Sequence, residues 1–371
     1  MSFWDELPRP FFALAPMEEV TDVVFRSVVA RAGRPDVFFT EFMNVNGFCH
    51  PDGRASVARR LEISPTDAPI VAQIWGSDPE KFSLTAAEIS KMGFSGIDIN
   101  MGCPDKKVVK SGGGSALIQT PELAVEIIRA TKAGTGNGVD LASDPSVSET
   151  SYAGQPAEPS SKKTNLSVSS GIYVSDSEGK KSSSRPTPLP ISVKTRLGYS
   201  KVEEWRKWLT VLLEQNLANL TVHLRTKKEM SKVPAHHELI PEIVALRDKI
   251  APATKLTING DIADRLQGRN LQEKYSGVDG FMIGRGVFDN PFCFTNITNP
   301  SREQLFDLLN YHLDQFDEHE PRKFEPLKRF FKIYVKDFPG AAELRAKLFE
   351  CKSTDEVRRA LVSDFNFGFS I

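Results

Sequence analysis

Cysteine is scarce. The 371 residues hold four, Cys49, Cys103, Cys293 and Cys351, and no two form a CxxC pair. That spacing excludes a disulfide framework and a cysteine-based zinc site, and it suits a reducing compartment. An excess of either charge is also missing, because Lys and Arg number 47 against 48 Asp and Glu, a formal net charge of −1. Any nucleic-acid surface must therefore be a local patch. No apolar run approaches the ~18 residues of a membrane span. The N-terminal Met1-Ser2-Phe3-Trp4-Asp5-Glu6 is acidic and lacks the basic and apolar regions of a signal peptide. The expectation is a soluble, cytoplasmic protein with no metal and no membrane partner. Its length suffices for one domain of roughly 250 residues and a smaller one.

What is present is an alternation. β-Rich segments occur at Phe11–Met17, Val37–Phe42, Ile70–Trp75 and Gly96–Gly102, then at Ile191–Gly198, Leu220–Arg225, Lys255–Ile262 and Gly280–Gly286. Helical patterns lie between most of them. Thr21 to Ala32 is amphipathic. Ser77 is the expected N-cap of a helix with Pro79 in its first turn, and another runs from Thr120-Pro121-Glu122 to about Ala133, closed by Gly134. Eight strands alternating with helices predict a (β/α)8 barrel over residues 1–299. An open doubly wound sheet is the weaker alternative, because Pro16-Met17-Glu18 follows the first strand where a GxGxxG would stand.

Residues 134–190 are rich in Ser, Gly, Pro, Thr and Lys and poor in bulky apolar residues, which predicts a disordered insertion. It links a helix to the next strand, so it is expected on the face away from barrel chemistry, as a tolerated surface insertion. From residue 300 to 371 the alternation stops. Leu305, Leu308, Leu309 and Leu313, and later Leu344, Leu348, Val357 and Leu361, predict a small helical domain. It contains Arg322, Lys323, Lys328, Arg329, Lys332 and Lys336, with only Glu325 opposing before Asp337. Lys328, Lys332 and Lys336 at four-residue spacing would share one helical face opposite Phe330, Phe331 and Tyr334. A basic stripe of this kind is either a solvated face or a phosphate-backbone track.

Candidate chemistry sits at the strand ends. A lone cysteine is usually a small buried hydrophobe, and Cys49, Cys293 and Cys351 are read that way. Cys103 differs, because it follows a strand end between Gly102 and Pro104 and precedes Ser111-Gly112-Gly113-Gly114-Ser115, a glycine-rich loop able to close over a substrate. A thiol with a pKa near ~8.5 is mostly protonated at neutral pH and can act as a general acid. The ends of strands seven and eight, Asn259-Gly260-Asp261 and Gly284-Arg285-Gly286, read as a phosphate site, with glycines letting the backbone approach and Arg285 adding charge. Lys194, inside strand five, would face the negative pole of a reduced flavin ring. His223 and Gln73 can hydrogen-bond ring or phosphate atoms.

The motifs Ala15-Pro16-Met17-Glu18, Asn100-Met101-Gly102-Cys103-Pro104, Ser192 to Gly198 (SVKTRLG) and Val222 to Thr226 (VHLRT) resemble those of the tRNA-dihydrouridine synthases. So do Asn259-Gly260-Asp261, Ile283-Gly284-Arg285-Gly286 and Pro339 to Arg345 (PGAAELR). The resemblance covers nearly the whole chain outside the insertion. It implies an FMN-binding barrel, NADPH as electron donor, a helical tRNA-binding domain, and a monomer acting on tRNA. By resemblance, Pro16, Met17 and Glu18 line the flavin, Gln73 and Lys194 meet its ring, and His223, Asn259, Gly260, Asp261, Gly284 and Arg285 hold its phosphate end. Asn100 would position the uracil, Cys103 would be the catalytic acid, and Lys328, Lys332 and Lys336 would carry the RNA. Leu224 departs from the family's usual small residue, and the insertion is a second departure. Two rivals are a flavin barrel acting on free pyrimidines, of the dihydroorotate-dehydrogenase kind, and a non-catalytic RNA-binding protein on the same scaffold.

Overall fold

The apolar runs become parallel strands because each is buried on both faces once helices cover the sheet. In a computed structural model, which describes residues 2–136, 188–319 and 323–364, these are β1 (Phe11–Leu14), β2 (Phe38–Phe39), β3 (Met43–Asn44), β4 (Ile70–Trp75) and β5 (Gly96–Met101), followed by β6 (Ile191–Arg196), β7 (Asn219–His223), β8 (Lys255–Asn259) and β9 (Gly280–Ile283). The order is β1-β9-β8-β7-β6-β5-β4-β2, with β3 beside β4. A parallel bridge between Ala13 and Val37 joins the two free edges, and Leu14 N–H donates to Val37 O at 3.1 Å. The (β/α)8 barrel is closed, and the doubly wound alternative falls. The two-residue β3 is an unanticipated addition at its rim. Most of residues 134–190, Arg322 and the chain beyond 364 lie outside the described residues.

Strand alternation sorts the side chains into two sets. Phe12, Leu14, Ile70, Ile97, Val193 and Ile258 face the helices and join the main core. Phe11, Ala13, Val37, Phe39, Val71 and Met282 form a separate interior cluster with Trp4. The opposite side of the interior is polar: Gln73, Asp98, Ser192, Asn219, Thr221 and Thr257 are buried there. Burying such groups is tolerated because they bond to one another. Thr257 Oγ1 donates to Asn219 Oδ1 at 2.7 Å, and Ser192 Oγ to Asp98 Oδ1 at 2.6 Å.

Helices begin where short polar side chains satisfy the first free N–H groups. Asp22 caps α1 (Val23–Gly33), accepting from Phe25 N–H at 2.9 Å. The cap of α2 (Pro79–Ile89) is Asp78 and not Ser77, since the carboxylate next to Pro79 reaches Lys81 N–H. Ser77 Oγ instead donates to Ser111 O at 2.8 Å, pinning the glycine-rich loop. That loop was expected to be free to close, but Ser115 is fully buried and its N–H donates to Cys103 O at 3.0 Å. α3 (Pro121–Gly134) runs one residue further than anticipated: Gly134 is still helical, Thr135 is the C-cap, and the left-handed residue that follows is Gly136 (φ +80°).

The C-terminal helices are α4 (Arg302–Glu318), α5 (Ala341–Glu350) and α6 (Thr354–Asp364). Their apolar residues belong to the same continuous core as the barrel's outer layer. Phe330 stacks on Phe25 of α1 with ring centroids 4.8 Å apart, and His312 Nδ1 lies 2.7 Å from Tyr334 Oη. Between α4 and α5 the anticipated amphipathic helix does not form. A 3-10 turn (Glu325–Phe330) is followed by one helical turn (Phe331–Tyr334), after which Val335 leaves helical geometry (φ −105°, ψ 84°). Phe330, Phe331, Ile333, Tyr334 and Val335 are all buried, more of a short stretch than one helix face can hide. Lys328, Lys332 and Lys336 therefore do not share a face.

Candidate active site

All but one of the eight anticipated strands leave their ladders one to three residues earlier than the sequence predicts, and the shed residues join the last residues of the strands in building the site. β1 ends at Leu14, so Pro16 and Met17 lie in a loop. β8 ends at Asn259, and the chain turns through Gly260 (φ +115°) and Asp261 (φ +50°). A side chain at Gly260 would be strained, which explains glycine at this turn. These loops enclose a cleft of about 770 Å³ lined by Pro16, Met17, Lys194, His223, Asn259, Gly260, Asp261, Gly284 and Arg285, together with Arg196 and Lys332. All the anticipated cofactor residues meet there except Glu18 and Gln73.

The cleft is cationic, and the Lys194 ammonium stands out. It makes no hydrogen bond among the described residues, although burial, followed by the nearby Arg196, lowers its pKa to about 8. A half-buried ammonium that faces a cleft without a hydrogen-bond acceptor calls for an anionic or acceptor-rich ligand. Arg196 was not anticipated. It lies two residues beyond Lys194 on β6, so period-two alternation turns both inward. Its Nε donates to Gly102 O at 2.8 Å and its Nη1 to Thr226 O and Met230 O at 3.2 and 3.1 Å. Burial lowers it to about 10, still charged at neutral pH.

His223 Nδ1 lies 3.5 Å from Arg196 Nη1. Burial, then Arg196 and Lys194, holds His223 well below the usual histidine range, so it is a neutral hydrogen-bonding group. Asp261 is its acidic counterweight. Burial opposes its ionisation, but bonds from Arg225 and from Ala235 N–H (2.9 Å) outweigh it and keep the carboxyl below its ordinary value. Arg285 Nη2 donates to Asp261 Oδ1 at 3.2 Å from the exposed rim.

Cys103 follows β5 directly beside this wall, with Pro104 lining the cleft. Burial raises its thiol pKa, opposed next by the Asp105 backbone N–H, aided by the Asp105 charge, and opposed least by Arg196 and Lys194. The group is thus a thiol, able to give a proton. Asn100 Oδ1 accepts the N–H groups of Gly102 (3.1 Å) and Cys103 (2.9 Å), and its Nδ2 donates to Gln73 Oε1 at 3.0 Å.

Six anticipated residues are not among those lining the cleft: Cys103 and Asn100, beside its wall, and Gln73, Glu18, Lys328 and Lys336. Gln73 is fully buried below it and donates to Asp98 Oδ2 at 2.7 Å. Glu18 turns outward to Arg60, whose Nε lies 3.1 Å away. Lys328 Nζ pairs with Glu325 at 3.0 Å and lies over the Phe324 ring, and Lys336 donates to Asp289 O. Lys332 alone of the three lysines reaches the cleft. Among the described residues no helix is long and apolar enough to cross a membrane, and no His/Cys/Asp/Glu group could hold a metal ion.

Residues 13–142 and 181–366 match the model of the dihydrouridine synthase (Dus) family, and the gap between the two blocks falls within the Ser-rich insertion. The chain is 51% identical over 368 residues to "Probable tRNA-dihydrouridine synthase 2" of Bacillus subtilis (strain 168), covering 98% of this chain and 96% of that protein. It is 49% identical over 368 residues to a "Probable tRNA-dihydrouridine synthase" of Staphylococcus aureus (strain COL), covering 98% and 95%. Among solved structures it is similar to an old yellow enzyme homologue from Zymomonas mobilis, with a TM-score of 0.43 and 11% identity over 92% of this chain and 98% of the other. With most of its length matched by the family model and about half its residues shared with full-length relatives, the chain belongs to the dihydrouridine synthase family.

Proposed function

We propose that this chain is a cytoplasmic, monomeric tRNA-dihydrouridine synthase that carries FMN and reduces the C5=C6 bond of a uridine in tRNA at the expense of NADPH. The observation that carries the reading is a protonated, half-buried thiol, Cys103, beside a cationic cleft whose Lys194 ammonium makes no hydrogen bond among the described residues. The donor set fits an FMN. Lys194 suits the electron-rich pole of its ring, Pro16 and Met17 offer an apolar flank, and His223, Asn259, Gly260, Gly284 and Arg285 suit its phosphate end, with Asp261 fixing Arg285. When bound, the reduced flavin supplies the hydride that reaches uracil C6.

The chain's own part is proton delivery and positioning. Cys103 gives its proton to C5, and Arg196 and Lys194 stabilise the thiolate that remains. The target base must leave its stack to reach the cleft, at a cost of a few kcal/mol repaid by contacts to the RNA. Residues 300–371 are the RNA-binding domain in this reading, with Lys332 at the cleft rim.

The test is the visible spectrum of the purified protein, followed by mass analysis of tRNA nucleosides after incubation with NADPH. Flavin absorbance and a uridine heavier by two hydrogens are expected. A coloured protein that reduces free uracil or orotate and leaves tRNA unchanged would overturn the RNA substrate. A colourless protein that cannot be loaded with FMN would overturn the cofactor.

A further inference from the structure

Beneath Cys103 a run of hydrogen bonds crosses three strands. Ser192 Oγ donates to Asp98 Oδ1 (2.6 Å), Gln73 Nε2 to Asp98 Oδ2 (2.7 Å), Asn100 Nδ2 to Gln73 Oε1 (3.0 Å), and the N–H groups of Gly102 and Cys103 donate to Asn100 Oδ1. The sheet register sets this up, with Gln73 opposite Asp98 on β4 and β5 and Asp98 opposite Ser192 on β5 and β6. Ser192, Asp98 and Gln73 are fully buried and Asn100 is 6% exposed, so water does not substitute for a missing partner.

Its direction follows from chemistry at both ends. A carboxylate only accepts, so Gln73 must turn its NH₂ to Asp98 and its oxygen to Asn100. Two backbone N–H groups only donate, so Asn100 must turn its oxygen to them and its NH₂ to Gln73. The two requirements meet at the Asn100–Gln73 bond and agree. Burial raises the Asp98 carboxyl to about 6, opposed by its bonds from Ser192 and Gln73, so it is charged at neutral pH.

We infer that Asp98, acting through Gln73, fixes the orientation of the Asn100 carboxamide, and that this carboxamide holds the 102–103 backbone so that the Cys103 thiol is delivered to one place. Asp98, Gln73 and Asn100 are positioning residues. Gln73 and Asn100 then support the acid in addition to any contact they make with a ligand. The consequence for turnover rests on the proposed reaction, whereas the placement of the thiol can be read without it.

The experiment is a swap of donors and acceptors in the FMN-loaded protein. Asn100→Asp sets an acceptor against Gln73 Oε1, and the single Gln73 NH₂ cannot serve carboxylates on both sides. Adding Asp98→Asn lets the whole run reverse with every bond kept, while the residue at position 100 still accepts both N–H groups. The first readout is the pH profile of Cys103 alkylation by iodoacetamide without RNA, followed at that residue by mass spectrometry. The second is kcat and KM for tRNA. Asn100→Asp is expected to shift the alkylation profile and lower kcat about 10- to 100-fold with tRNA KM changed less than about threefold. The double variant should recover the wild-type profile and come within about fivefold of wild-type kcat. A double variant no better than Asn100→Asp alone, or a single variant with an unshifted profile, overturns the inference. Should Asn100→Asp fail to fold, Gln73→Met cuts the run without adding charge, and an unshifted profile there overturns it equally. A restored profile in a protein whose wild type makes no dihydrouridine upholds the positioning and overturns only the proposed reaction.

Discussion

Two regions were assigned to ligands from sequence, the strand ends of the barrel and the basic segment 323–336, and they fared differently. Lys194, His223 and Asp261 lie on three separate strands or the loops after them, yet they line one cleft. Lys328, Lys332 and Lys336 lie within nine positions of chain and point to three different environments. A closed parallel barrel brings every strand's C-terminal end to one face, so position on a strand translates directly into location. Four-residue spacing translates only if the backbone is helical throughout. In this segment the burial of consecutive aromatic residues broke the helix. Patterning is reliable where topology forces the geometry and weak where tertiary packing chooses it.

The strand-end region is broken most severely by Cys103→Ala. That change should leave the yellow protein intact and lower dihydrouridine formation about 10²- to 10⁴-fold, the usual range for a lost general acid. Single-turnover rates and nucleoside mass analysis check it. Burial pushes the thiol pKa up, so in the wild type the protonated acid persists through neutral pH. The rate should therefore be level around pH 7 and fall on the alkaline side, above the ordinary thiol range. A rate that rises there would mean the thiolate is the active form.

Phe330→Ala tests whether the second region is separate at all. Its ring stacks on Phe25 from the barrel's first helix and lies 5.1 Å from the His312 ring. Removing a buried aromatic of this kind costs about 3–5 kcal/mol. Because the core is continuous across the junction, denaturation followed by circular dichroism and by flavin fluorescence should give one transition, shifted together. Two transitions, with the flavin signal unmoved, would show that the helices fold apart from the barrel.

How much was legible follows the same division. The eight-stranded barrel and most of the cleft could be read because β-runs, Gly and Pro punctuation and strand-end motifs are local signals. Arg196 was readable and missed, since Lys194 two residues earlier gives its direction. Asp98 was readable in the same way from Asn100. Gln73 and Glu18 were not readable. Alternation turns Gln73 inward but does not say how deep, and only the register with Asp98 shows its amide bonded to that carboxylate below the cleft. Glu18 follows Met17 in a loop where no period applies, and its direction is set by Arg60, 42 residues away. Ser77 was read as the cap of the helix after β4, but Asp78 takes that place and Ser77 bonds the distant Ser111, a contact no local pattern reveals.

A smaller effect is expected at Lys194, where it sharpens the contrast between a buried and a rim cation. In the unliganded fold its pKa is about 8, below the ordinary 10.5, so its charged form is the disfavoured one. The cost is present below pH 8 and vanishes as pH rises from there toward 10.5. An electron-rich ligand at the ammonium restores the charge. FMN binding at pH 8 should then take up about half a proton, and affinity should fall at higher pH. Calorimetry in buffers of different ionisation enthalpy measures this. Lys194→Met should abolish the uptake and weaken binding about tenfold. An unchanged uptake would assign the proton to another group.

The smallest effects separate the lysines of the basic segment from one another. Lys332 borders the cleft, where an RNA strand feeding its base inward would pass, while Lys328 is already neutralised by Glu325 and covered by its stacking over Phe324. Each phosphate contact contributes close to one unit to the slope of log affinity against log salt. Lys332→Ala should therefore lower the slope for tRNA binding by about one and raise the dissociation constant a few-fold, whereas Lys328→Ala should change the slope by about zero. Filter binding across a salt series would measure both. Equal changes for the two would restore the shared basic track that four-residue spacing implied, and would mean that the segment rearranges on RNA so that Lys328 exchanges Glu325 for a phosphate.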